Sequence, residues 1–92
     1  MREITCSTIT DAIKKMCIEA ATILPQDVEK ALSQKHDEED SALAKKTLQV
    51  LMDNAKLAQE KQMPICQDTG MAFVYVTMGQ EVHITGGSLN EA

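Results

Sequence analysis

The amino-acid sequence predicts an α+β fold in which three N-terminal helices are followed by a β-hairpin. Three observations carry that expectation. Apolar residues recur at helical spacing from Ile9 to Leu24 and again from Ala44 to Ala58. The composition turns β-branched and aromatic after Met63-Pro64, and Val82-His83-Ile84-Thr85 alternates like a strand.

In the first helix Ile9, Ala12, Ile13, Met16, Cys17, Ala20, Ala21, Ile23 and Leu24 form one stripe, with Asp11, Lys14, Lys15 and Glu19 opposite. Ser7 or Thr8 is the expected N-cap, and Pro25 ends the helix because the residue before proline is driven out of the α region. Asp27 is expected to cap a short second helix from Val28 to about Gln34, and the acidic run Asp37-Glu38-Glu39-Asp40 reads as a solvated linker. Ser41 is the expected N-cap of a third helix reaching to about Gln62, with Ala44, Leu48, Leu51, Met52, Ala55 and Ala58 as its apolar stripe. Met71-Ala72-Phe73-Val74-Tyr75-Val76 then has the make-up of a buried strand, Gly79-Gln80 that of a turn, and Val82 to Thr85 that of the returning strand. Ser88 and Glu91 have the form of a capping box, so a further helix is expected to start at 88–92. A lone hairpin and a single helical turn are both marginal in water, which leads us to expect a fragment completed by neighbouring polypeptide.

At 92 residues the chain is at most one small domain, with little spare stability for a deep cavity of its own. Nine basic against fourteen acidic side chains give a net charge of -5, and Phe73 and Tyr75 are the only aromatics. That balance offers neither a phosphate-tracking surface nor a base-stacking platform, so nucleic acid is excluded as an expected partner. The longest apolar run, Met71 to Val76, is far short of the ~20 residues of a membrane span, and the N-terminus carries no apolar leader segment. No membrane association and a cytoplasmic location are the expectations. Cys6, Cys17 and Cys66 include no C-x-x-C pair and are odd in number, which fits a reducing compartment better than a disulfide framework.

Chemistry concentrates at Cys66-Gln67-Asp68, in the loop between the third helix and the expected strand. A thiolate is a soft metal ligand, a carboxylate moves protons, and an amide holds a substrate oxygen. On residue types alone, a loop thiol of this kind reads first as structural, since free cysteine is commonly just buried. Cys17 lies in the apolar stripe and is expected to pack in the core, and Cys6 has no ligand set around it. His83 is expected to face away from Val82 and Ile84, and Gly86-Gly87-Ser88 reads as a turn and cap.

The stretch Pro64-Ile65-Cys66-Gln67-Asp68-Thr69-Gly70 closely resembles the cysteine motif of the iron-sulfur-dependent hydro-lyases, the class I fumarate hydratase and L-tartrate dehydratase family. The likeness is to the N-terminal part of the alpha subunit of the two-chain form. Met1-Arg2-Glu3-Ile4, Met16-Cys17-Ile18-Glu19-Ala20, the long helix before the motif, Gly79-Gln80-Glu81-Val82-His83-Ile84 and Gly86-Gly87-Ser88 resemble it as well, so the likeness covers essentially the whole chain. It implies that residues 1–92 are an N-terminal fragment of the alpha-type catalytic domain, helical over 7–63, with the motif loop at 64–70 and strands over 71–85.

The resemblance implies reversible hydration of fumarate to L-malate, with L-tartrate dehydration as the alternative within the class. It also implies a 4Fe-4S cluster with one open iron, for which Cys66 is one of three cysteine ligands. By the same resemblance Gln67 contacts a carboxylate of the dicarboxylate substrate, and Asp68 takes part in proton transfer at carbon. The other two cluster cysteines lie downstream in the family, Cys6 and Cys17 match neither, and Arg2 is the single arginine available to clamp a dicarboxylate. The expected partners are therefore the remainder of the alpha subunit and a beta subunit, and the isolated chain is expected to be inactive. Two readings of other classes stand beside this one: a non-catalytic helical interaction module, and a small metal or redox thiol protein with His83 as the second ligand to Cys66.

Overall fold

The computed structural model describes residues 1–92, in the order β1 (Arg2–Thr5), α1 (Cys6–Thr22), α2 (Gln26–Glu38), α3 (Ala42–Lys61) and β2 (Val82–Thr85). The chain divides into two compact units, one of residues 1–17 and 68–92, the other of residues 18–67.

The expected hairpin is not present. β2 pairs in parallel with β1, with Arg2 opposite Val82, Ile4 opposite Ile84 and Thr5 opposite Thr85, and the Arg2 N–H donates to Glu81 O at 2.8 Å. Residues 71–76 form no strand and are all exposed, Phe73 at 73% and Tyr75 at 94%. A fold of N-terminal helices followed by a hairpin is thus replaced by one in which a strand precedes the helices and a parallel pair closes around them in sequence. The physical reason is that β-composition marks a segment able to join a ladder, whereas the ladder itself needs a partner edge. Gly79 does make the expected turn, its carbonyl accepting the Val82 N–H at 3.3 Å, but the strand that follows runs beside the N-terminus.

In this unit Ile4, Ile9, Ile13, Met16, Val76 and Ile84 line an apolar groove of about 610 Å³. His83, between the groove residues Val82 and Ile84, is exposed, as alternation on a strand requires. Two glycines bring the chain back against α1: Gly86 at φ 80° and Gly87 at φ 148°. A Cβ on Gly87 would stand 3.3 Å from Cys6 Sγ, and that thiol donates to Ser88 O at 3.5 Å. Gly87→Ala combines a disfavoured φ with a crowded Cβ and is expected to destabilise by more than ~1 kcal/mol. Gly70→Ala, where a Cβ meets nothing within 4 Å, is expected to be neutral or slightly stabilising. Denaturant midpoints of the two variants against the wild type check the contrast. Ser88 Oγ accepts the Glu91 N–H at 3.3 Å, giving a capped turn, and no helix forms at 88–92.

The helices start and stop for local reasons. α1 begins three residues before its apolar stripe, because Thr5 rather than Ser7 or Thr8 is the capping side chain: its Oγ1 accepts the Thr8 N–H at 3.3 Å. α2 begins directly after Pro25, one residue ahead of Asp27, whose carboxylate accepts only the N–H of Val28 at 2.9 Å. It also runs on past Gln34 to Asp37 and Glu38, the first half of the acidic stretch read as linker. Gln34 and Lys35 both bond Glu38 one turn on, and together they hold its carboxyl below the usual range.

Ser41 caps α3 as expected, its Oγ accepting the Ala44 N–H at 3.3 Å. Ser41→Ala is expected to cost about 1 kcal/mol, read as a lower denaturant midpoint with loss of helical circular dichroism. α2 and α3 pack together, with Leu32 on one and Leu48, Met52 and Ala55 on the other half-buried. Ala58 and Thr22, 3% and 4% exposed, are the buried residues, and the Thr22 hydroxyl is satisfied by donating to Ile18 O at 2.7 Å. Cys17, expected in the core, is exposed, as are Met16 and Ile18 beside it. The periodicity correctly marks an apolar face, but burial also requires a layer to cover it. No helix is long and apolar enough to cross a membrane.

Candidate functional site

The motif loop is launched by the way α3 ends. Gln62 adopts the left-handed conformation at φ 54°, and both its N–H and that of Met63, at 3.0 Å for the latter, return to Ala58 O. This is a Schellman-type stop with glutamine where glycine is usual, and the Gln62 side chain adds a bond from Nε2 to Gln59 O at 2.9 Å. Pro64 follows and cannot continue a helix.

Two successive backbone amides then tie the loop down within the unit of residues 18–67. The Ile65 N–H donates to Ala21 O on α1 at 2.7 Å, and the Cys66 N–H donates to Asn54 Oδ1 on α3 at 2.9 Å. Ile65 is half-buried, while Cys66 is exposed and carries a free thiol. The backbone bearing the cysteine is thus fixed to two helices, and its sulfur is left open to a ligand.

Cys66 and Gln67 end the unit of residues 18–67, and Asp68 begins the second segment of the other unit. All three are exposed neighbours in sequence. Cys6 packs against Gly87, and Cys17 lies exposed on α1. No three His, Cys, Asp or Glu side chains converge as a metal-binding group. The exposed thiol of Cys66 is the kind of soft donor that an iron-sulfur cluster takes, and no group of three such donors forms around it. Asn54, Ala21 and Gln62 were not among the expected functional positions. The single hint was an asparagine in the interior of a helix, where its side chain competes with the backbone for hydrogen bonds.

The profile of the family described as Fumarate hydratase (Fumerase) matches residues 10–92, a span that includes the motif loop. The chain belongs to that family. Among its relatives, a Methanocaldococcus jannaschii protein provisionally named L(+)-tartrate dehydratase subunit alpha is 39% identical over 75 residues, which is 82% of this chain and 26% of that protein. The L(+)-tartrate dehydratase subunit alpha of Escherichia coli K12 is 30% identical over 78 residues, 85% of this chain and 26% of its own length. A Geobacillus stearothermophilus protein provisionally named fumarate hydratase class I is 37% identical over 62 residues, 66% of this chain and 12% of its own. The chain thus spans about a quarter or less of the length of these relatives. No solved structure matches it significantly.

Proposed function

We propose that this chain is the N-terminal portion of an alpha-type subunit of an iron-sulfur hydro-lyase, and that it supplies three residues to reversible water addition on a C4 dicarboxylate. The observation that carries the reading is the family match across residues 10–92, which includes an exposed, backbone-anchored Cys66 in the motif loop. In this reading Cys66 supplies one thiolate ligand to a 4Fe-4S cluster, and the remaining ligands come from polypeptide beyond this chain. When bound, such a cluster supplies Lewis-acid chemistry at the substrate hydroxyl. Gln67 binds a substrate carboxylate through its amide donors, and Asp68 holds or moves the proton at the adjacent carbon. The bidentate cationic clamp for the two carboxylates comes from elsewhere in the assembly, and a beta subunit completes it.

Fumarate hydration to L-malate is the first substrate reading, resting on the resemblance of Pro64-Ile65 before the cysteine and of the Gly79 to Gly87 stretch to the fumarate hydratase branch of the family. The second is L(+)-tartrate dehydration, favoured by the names of two of the relatives. The test is to express the chain continuous with the rest of an alpha-type polypeptide, together with a beta subunit, reconstitute anaerobically, and measure kcat/KM for fumarate and for L(+)-tartrate. Cluster-dependent turnover of fumarate above tartrate is expected. The opposite ratio selects the second substrate, and a full cluster with no turnover of either contradicts the hydro-lyase reading.

A further inference from the structure

We infer that Asn54 is a positioning residue for Cys66, fixing the peptide that carries the thiol before any ligand arrives. The inference rests on the reading of Cys66 as a cluster ligand and names the part of α3 that serves it. Asn54 sits inside α3, away from either end, where asparagine is a poorer helix former than alanine. Its neighbour Asp53 takes part in an ordinary pair one turn apart, accepting from Gln49 Nε2 at 2.8 Å. Asn54 instead uses its carbonyl on the Cys66 N–H in the motif loop, at 2.9 Å, and is half-buried there.

That bond acts together with the one before it in sequence. With the Ile65 N–H held by Ala21 O on α1, the peptide units on both sides of Ile65 are anchored to different helices, so the Cys66 backbone nitrogen has little freedom left. What remains for the sulfur is rotation about the Cys66 N–Cα bond and about its own side-chain bond. A ligand held this way loses little entropy on binding iron, as outer partners of metal ligands generally ensure. The chemistry requires an acceptor at position 54 and nothing more, so aspartate should replace asparagine and alanine should not.

Amide hydrogen exchange on the assembled protein, before any iron is added, tests the tether. Asn54→Ala is expected to speed exchange of the Cys66 amide about tenfold, the size of one hydrogen bond, while the Ile65 amide keeps its protection. Asn54→Asp is expected to restore it. Equal Cys66 exchange in wild type and Asn54→Ala overturns the inference. So does loss of protection in Asn54→Asp with helix content intact, and this second variant decides the matter if the alanine variant unfolds α3. In the assembled, reconstituted enzyme a chelator should strip iron from Asn54→Ala some ~10–100-fold faster than from wild type or Asn54→Asp. Unchanged stripping contradicts a positioning role. Cys66→Ser separates the two claims: a cluster retained in that variant overturns the ligand reading and leaves the exchange result standing.

Discussion

Cys66→Ser in the assembled hydro-lyase is expected to lower turnover by at least ~100-fold and to leave iron and sulfide substoichiometric after anaerobic reconstitution. Loss of an outer partner of a metal ligand already costs ~10–100-fold, and the loss of a ligand costs more. Serine keeps the size of the side chain and the backbone bonds of Ile65 and Cys66, so the loop geometry stays while the soft donor goes. Cys6→Ser and Cys17→Ser serve as controls. Cys6 packs against Gly87 and Cys17 is exposed on α1, so neither change should alter cluster content. Iron content, sulfide content and visible absorbance measured on the same preparations separate a lost ligand from a misfolded subunit. Wild-type turnover by Cys66→Ser refutes its role.

Asp68→Asn is expected to behave differently, lowering kcat by ~10²–10⁴-fold with the cluster spectrum unchanged and KM little altered. That range is typical for removal of a side chain that transfers a proton in the transition state. Asparagine preserves shape and one acceptor but cannot take or return the proton. Solvent deuterium exchange into L-malate should fall in parallel with kcat, since both need the same proton transfer. Loss of the cluster in this variant assigns Asp68 a structural role instead.

The helices were legible because their determinants are local. The stripe from Ile9 to Leu24, the stop before Pro25 and the Ser41 cap all lie within a turn or two of what they control. The sheet was not, and the reason is visible in β1. Arg2-Glu3-Ile4-Thr5 offers a single apolar residue and no alternation to detect, yet it is the strand that β2 joins, from the far end of the chain. Residues 71–76 misled in the opposite sense, since their composition suits a strand and they form none. α2 ran past its expected end because Gln34 and Lys35 bond Glu38, and side-chain pairs across one turn offset the crowding of charge.

The site divides along the same line. The reactive types at Cys66, Gln67 and Asp68 could be read directly, and the resemblance of residues 64–70 gave them roles. What holds Cys66 could not be read, because the Asn54 bond reaches from inside α3 to the loop beyond its end and the Ala21 bond joins segments separated by two helices. The apolar groove beside Val76 was likewise hidden, since it depends on the parallel pairing of Ile4 with Ile84.

The central claim is that this chain brings one cluster ligand to a shared site, and an anaerobic crystal structure of the assembled, reconstituted enzyme tests it most directly. The predicted result is a cluster iron within thiolate bonding distance of Cys66 Sγ, with the remaining protein ligands outside residues 1–92. A cluster held entirely by other residues, with the Cys66 thiol remote from iron, contradicts it.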